Sequence, residues 1–154
     1  MKISVLVLAL LSSSIALADT QGRVLPDPAK ACDAFKSHQL CFETPQDGVA
    51  RAEYSSKPFY AIILKTAERC SIPEAERVQT QALFPASKVF SARFDCDDPE
   101  ELIRYTNVND KFGFLAVYAG ATLAEAKKRL AEVNATKRFS GANIRKMQAV
   151  MVMP

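Results

Sequence analysis

The chain contains one pattern of apolar and helix-capping residues twice, and this repetition limits the possible folds more than any other feature. Ser71-Ile-Pro-Glu-Ala in the first copy matches Thr122-Leu-Ala-Glu-Ala in the second. Farther along, Phe84-Pro-Ala-Ser-Lys-Val matches Phe139-Ser-Gly-Ala-Asn-Ile. Each copy combines strand-like and helix-like segments, so the repeat predicts two strand-helix-strand units in tandem.

Within each copy, strands and helices are predicted from hydrophobic periodicity. Short β-branched and aromatic runs predict strands at residues 59–64, 88–95, 112–119 and 144–152. Two capping patterns predict helix starts at Ser71 and Thr122. The predicted buried stripes of the two helices are Ala75, Val78 and Ala82 in the first, and Leu123, Ala126, Leu130 and Val133 in the second.

Two such units in tandem predict an α+β domain with ferredoxin-like βαββαβ topology and both helices on one face of the sheet. We expect this domain to occupy residues 57–154. An N-terminal extension, residues 19–56, precedes it and contains one short helix predicted at residues 28–37. Residues 102–106 fit either an added strand or an inserted hairpin.

The N-terminus has the features of a secretory signal. Lys2 precedes a short apolar stretch, and Ala16-Leu17-Ala18 supplies small residues at cleavage spacing, which predicts a signal peptide over residues 1–18. The stretch is too short to predict a membrane span. We therefore expect one domain in the periplasm or secreted. The formal net charge of the 154-residue chain is only +3, which does not indicate a nucleic-acid partner.

Four cysteines are expected to form two disulfides in an oxidising compartment, and three pairings are possible. A Cys32–Cys41 bridge would close a short local loop. In the predicted topology Cys70 and Cys96 follow two strands of the same direction, which places them at the same sheet edge and predicts a Cys70–Cys96 bridge. No cysteine spacing indicates a zinc or redox site.

The sequence contains no motif for a catalytic nucleophile or a glycine-rich phosphate loop, so we expect a protein that is not an enzyme and has no cofactor or metal. An acidic cluster offers the one alternative to this expectation, because paired carboxylates can cleave glycosides or bind calcium. Its members are Asp95, Asp97, Asp98, Glu100 and Glu101. A solvated turn at Pro99 explains the same residues.

The sheet face without helices is the predicted binding surface, because strand alternation places aromatic and cationic side chains there together. Aromatic rings stack on sugars, while Arg, Lys and Gln hold hydroxyl or carboxylate oxygens. The predicted ligand-binding residues are Lys65, Arg93, Phe114, Tyr118, Lys146 and Gln148. Alternatively, this face packs beneath residues 19–56.

Residues 58–152 contain two related sets of residues, Tyr60-Ala-Ile-Ile-Leu and Glu74-Ala75 in the first unit, and Phe114-Leu-Ala-Val-Tyr-Ala-Gly120 with Ala126 and Leu130 in the second. In these residues and their layout the segment resembles the SPOR family of peptidoglycan-binding domains. This resemblance implies a duplicated βαβ sheet whose open face binds glycan strands that lack stem peptides.

The expected function is therefore that of a non-catalytic envelope protein that binds peptidoglycan glycan. Two alternatives remain open. The first is a secreted protein-interaction module, such as an inhibitor or an immunity-type protein, whose partner is an envelope protein. The second is a wall-active enzyme that uses the acidic cluster.

Overall fold

The computed structural model describes residues 20–30, 32, 35–92 and 103–153. The predicted signal peptide, Arg93, Cys96 and the acidic cluster lie outside the described residues. Within the described ranges the chain has two helices and three antiparallel sheets, which confirms the α+β class. Neither of these helices is long and apolar enough to cross a bilayer.

The helices and strands are named in chain order. They are β1 (Arg23–Val24), β2 (Phe42–Glu43), β3 (Glu53–Ser55), β4 (Phe59–Glu68), α1 (Glu74–Gln81), β5 (Val89–Ala92), β6 (Ile103–Tyr105), β7 (Phe112–Tyr118), α2 (Leu123–Ala135), β8 (Asn143–Met147) and β9 (Ala149–Val152).

The central element is a four-stranded sheet in the order β5-β7-β4-β8, with every neighbouring pair antiparallel. Strands β4, β5 and β7 correspond to the first three predicted strands. β4 and β7 are apolar on both faces because both faces of the sheet are covered. Smaller sheets have the orders β3-β9-β6 and β1-β2.

The single strand predicted over residues 144–152 is wrong, because the chain changes sheets at Gln148. β8 pairs with β4, whereas β9 pairs with β3 and β6. Two hydroxyls hold the crossover: Gln148 N donates to Thr106 Oγ1 at 2.8 Å, and Ala149 N donates to Ser56 Oγ at 3.0 Å. The 102–106 segment, left open by the sequence, contains the short strand β6.

Helix α1 does not begin at the predicted cap and does not bury the predicted face. It begins at Glu74 with Pro73 at the N-cap position, and the Ser71 hydroxyl donates to Glu68 O at 2.6 Å instead. Its buried side chains are Arg77 and Thr80, whereas Val78 is 53% exposed. The predicted apolar stripe therefore lies on the outer side of the helix.

Helix α2 has the capping box that its sequence predicts. Thr122 accepts a hydrogen bond from the backbone of Glu125, and the Glu125 side chain accepts one from the backbone of Thr122. Gly120 makes this turn possible, because it has a φ of +107° and a Cβ there would lie 2.5 Å from Glu125 Cβ. Ala126 and Val133 are fully buried, whereas Leu123 at the start of the helix is exposed.

The short helix predicted at residues 28–37 is wrong for the described residues of that range, which form turns and irregular chain. Ala29 N donates to Asp27 Oδ1 at 2.9 Å, so Asp27 closes a local turn instead of capping a helix. The Cys32–Cys41 disulfide is confirmed. Cys70 is also disulfide-bonded, and because Cys96 lies outside the described residues, the Cys70–Cys96 pairing stays a prediction.

Candidate functional site

The sheet face opposite the helices, here called the helix-free face, is buried. Phe59 is 1% exposed and Phe114 is 3% exposed. Residues from the N-terminal extension and from the three-stranded sheet pack on them: Leu40, Phe42, Ile103, Tyr105 and Met151. The prediction that this face is open is wrong, since its apolar side chains attract an apolar cover from the chain itself.

A polar cluster beside α1 holds the N-terminal cover in place. The buried Arg77 guanidinium donates to Glu74 Oε1 at 2.6 Å and to Val89 O at 3.3 Å. Ser37 Oγ donates to the same carboxylate at 3.2 Å, and Lys88 Nζ donates to Ser37 O at 2.7 Å. Burial raises the pKa of Glu74, but the bonds and charge of Arg77 outweigh it and lower the pKa overall.

Lys65 lies on the helix side of the sheet, contrary to the prediction. The register of β4 against β7 shifts between Ile63 and Lys65, and Lys65 is opposite Leu115. Such a β-bulge turns the following side chains to the other face. Lys65 Nζ consequently pairs with the Glu76 carboxylate of α1 at 2.9 Å.

Lys146 and Gln148 are also absent from the predicted surface. Lys146 is opposite Tyr60 and its ammonium lies 5.9 Å from the centroid of that ring, on the helix side. The Gln148 amide donates to Ser56 O at 2.9 Å, so it serves the crossover between β8 and β9. These corrections follow from strand register, because a shift of one residue exchanges the two faces.

Tyr118 and Phe114 lie on the predicted face but in different surroundings. The centroid of the Tyr118 ring is 5.8 Å from that of Phe59. Burial, the larger effect, and the nearby Glu125 carboxylate both raise the pKa of the Tyr118 phenol. Phe114 packs between Phe90 and Tyr105. The predicted residues in the described ranges are therefore not brought together in one site.

A groove does exist beside the connection between β6 and β7, and we call it the β6–β7 groove. It has two compartments, of about 580 Å³ and about 330 Å³, and both are lined by Val108, Asn109 and Phe112. The Phe112 side chain is 47% exposed. An aromatic ring is thus available to a ligand in the middle of the groove.

The larger compartment has a polar rim. Arg104 of β6 pairs with Glu53 of β3 at 2.6 Å across the intervening strand β9, and both side chains are 54% exposed. Asp110 and Arg69 add further charged groups to the lining. Alternating charges of this kind provide hydrogen-bond donors and acceptors without a strong net field.

The smaller compartment borders the helix-free face. Ile63 and Phe114 form apolar lining, and Thr66, Asn107 and Arg145 add polar groups. Of the six predicted ligand-binding residues, Phe114 is the one from the described ranges that lines this groove. Arg145 shares the face because it is opposite Ala61 of the buried core.

Two asparagines of the groove are held by hydrogen bonds to the backbone, and the other polar atom of each side-chain amide has no partner among the described residues. Asn107 Nδ2 donates to Lys146 O at 3.0 Å, and Asn109 Oδ1 accepts from Lys111 N at 3.0 Å. This leaves an acceptor on Asn107 and a donor pair on Asn109 for a ligand. Asn107 also has a φ of +59°, a conformation that asparagine tolerates better than most residues.

The sequence contains two signals that point to the groove residues absent from the predicted set. Asn107-Val-Asn-Asp-Lys is a polar, turn-forming run that leads directly into a strand at Phe112. Met147 is the apolar residue of the last strand that faces the buried core, and strict alternation from Met147 puts Arg145, not Lys146, on the helix-free face.

Comparisons with known proteins add no assignment. No protein-family model, curated protein or solved structure matches the chain. Within the described ranges, no group of three or more His, Cys, Asp or Glu side chains could hold a metal ion.

Proposed function

We propose that this chain is an exported, non-catalytic protein of the cell envelope that binds a glycan strand in the β6–β7 groove. The observation that carries the proposal is the exposed Phe112 ring, which lines both compartments. Sugar rings have apolar faces that stack on aromatic side chains, and their hydroxyls bond to amide and charged groups. The groove combines both kinds of group in its two compartments.

The layout of the main sheet supports the same proposal. β4, α1, β5, β7, α2 and β8 follow one another in βαββαβ order, with β6 inserted, and the strand order is β5-β7-β4-β8. We propose that this is a ferredoxin-like arrangement and that the resemblance to SPOR domains rests on it. The ligand would then lie at the margin of the helix-free face, because the centre of that face is covered.

The compartment of action is inferred from the disulfides. The Cys32–Cys41 bridge and the disulfide at Cys70 are typical of proteins that function in an oxidising environment. Together with the predicted signal peptide, they support a periplasmic or secreted protein.

Binding to purified sacculi tests the proposal. The mature protein should sediment with amidase-treated sacculi, whose glycan strands lack stem peptides. Phe112→Ala should weaken this binding about tenfold, because the aromatic platform is lost. Val78→Ala is the matched control, since Val78 is also about half exposed but lies on α1. Equal sedimentation of Phe112→Ala and the wild type would place the ligand elsewhere.

A second candidate is the protein-interaction module. Helix α1 directs Ala75, Val78 and Ala82 away from the core, and such an apolar stripe is a common docking surface. An envelope protein captured by the wild type, lost with Val78→Asp and retained with Phe112→Ala would favour this candidate.

The enzyme alternative depends on the acidic cluster outside the described residues. Incubation of sacculi with the wild type and with Asp97→Asn and Asp98→Asn tests it. Release of soluble wall fragments by the wild type, lost in these variants, would replace the non-catalytic proposal.

A further inference from the structure

Arg145 differs from most arginines of the described ranges because its charge has no partner among the described residues. Five others pair with carboxylates of the chain, namely Arg23 with Glu43, Arg51 with Asp47, Arg77 with Glu74, Arg104 with Glu53 and Arg129 with Glu132. The Arg145 guanidinium makes no hydrogen bond or ion pair with any described residue.

The Arg145 side chain lies at the smaller compartment of the β6–β7 groove. It lines the smaller compartment with Asn107, Asn109 and Phe112, and it is the single charged side chain among the described residues that line it. No carboxylate of that lining competes for it. The compartment therefore offers a cation, amide groups and aromatic carbon to one ligand.

We propose that Arg145 binds a carboxylate carried by the sugar chain in the groove, an inference that rests on the proposed function. A guanidinium presents its N–H groups in a planar fork that matches the two oxygens of a carboxylate. The free acceptor of Asn107 and donors of Asn109 would hold neighbouring hydroxyls. The ligand class is thus an acidic, not a neutral, sugar polymer.

The test compares a charged and a neutral form of one ligand. Amidase-treated sacculi expose sugar-linked carboxylates, and coupling to methylamine with a carbodiimide converts these groups to neutral amides. The wild type should bind the untreated form about tenfold more tightly than the amidated form. Arg145→Gln should bind both forms equally weakly, and Arg145→Lys should recover only part of the difference, since lysine lacks the planar fork.

Lys146→Gln is the matched control, because it removes the same charge from the adjacent residue on the opposite sheet face. It should keep the preference for untreated sacculi. An equal loss in Lys146→Gln and Arg145→Gln would mean nonspecific charge attraction and would overturn the inference.

The remaining outcomes separate this inference from the proposed function. Equal binding of the wild type to both forms overturns the role of Arg145 and leaves glycan binding standing. Binding to neither form overturns both. Arg145-dependent binding only to sacculi that still carry stem peptides would assign the carboxylate to a peptide and overturn the sugar assignment.

Discussion

The backbone N–H of Leu40 donates a buried hydrogen bond to the phenolic oxygen of Tyr105 at 3.0 Å. Leu40 belongs to the N-terminal extension and Tyr105 to β6, and both pack on the helix-free face. The bond joins the two parts of the cover at the point where neither is exposed to water. The covered face is therefore held by a specific polar contact as well as by apolar packing.

Tyr105→Phe should destabilise the protein by about 1–3 kcal/mol, because the Leu40 N–H would remain buried without this acceptor. Urea unfolding measures the effect. Tyr118→Phe is the control, since the Tyr118 hydroxyl has no hydrogen bond to a described residue. Equal stabilities for the two variants would show that the bond contributes nothing.

Glu74→Gln should also destabilise the protein by about 1–3 kcal/mol, because the buried Arg77 guanidinium would lose its counter-charge. Adding Arg77→Met should restore part of the loss, since methionine has similar volume and no buried charge. Chemical denaturation of the single and double variants measures this. A double variant no more stable than Glu74→Gln would contradict the expectation.

Replacing both Cys32 and Cys41 by serine should cost about 2–3 kcal/mol, the loop-closure contribution expected for so short a loop. The two residues are nine positions apart in sequence. Thermal unfolding without reductant measures the change while the disulfide at Cys70 stays intact. An unchanged melting temperature would mean that the packing of Leu40 and Phe42 alone retains the cover.

The Asp47 carboxyl should titrate with a pKa of about 2, below its ordinary value of 3.8, because of hydrogen bonds from Arg51 and the Val49 backbone and the Arg51 charge. Since the folded state favours the carboxylate, the contribution to stability is complete above about pH 4 and is lost as the pH falls toward 2. Carboxyl NMR titration measures the midpoint.

Arg51→Gln is the companion variant for that titration. It should raise the pKa of Asp47 toward the ordinary value but not fully, because Val49 N still donates to Asp47 Oδ1 at 3.1 Å. A wild-type midpoint near 3.8 would contradict the assigned ion pair.

Much of the fold could be predicted because the signals are local. The strands β4, β5 and β7, the capping box of α2 and the Cys32–Cys41 bridge all depend on residues close together in the sequence. The buried side of helix α1 could not be predicted from such local signals. Its buried side is set by the pairing of Arg77 with Glu74 and Val89, which involves a neighbouring strand.

The candidate site was less predictable because it depends on register. The bulge before Lys65 and the change of sheet at Gln148 each transfer side chains between faces, and strict alternation cannot anticipate them. Phe114 was placed correctly on the helix-free face, but the groove beside it is built by the β6–β7 connection.

By itself, the sequence determined the α+β class, three strands of the main sheet, the capping box of α2 and one disulfide, since hydrophobic period, capping chemistry and close cysteine spacing act over short distances. Tertiary structure decided that the face opposite the helices is covered as well. The helix-free face is apolar, and burying it under Leu40, Phe42 and Tyr105 removes more apolar surface from water than leaving it open. Only contacts between segments distant in sequence bury this face, and they leave Phe112 and Arg145 at the margin of the helix-free face.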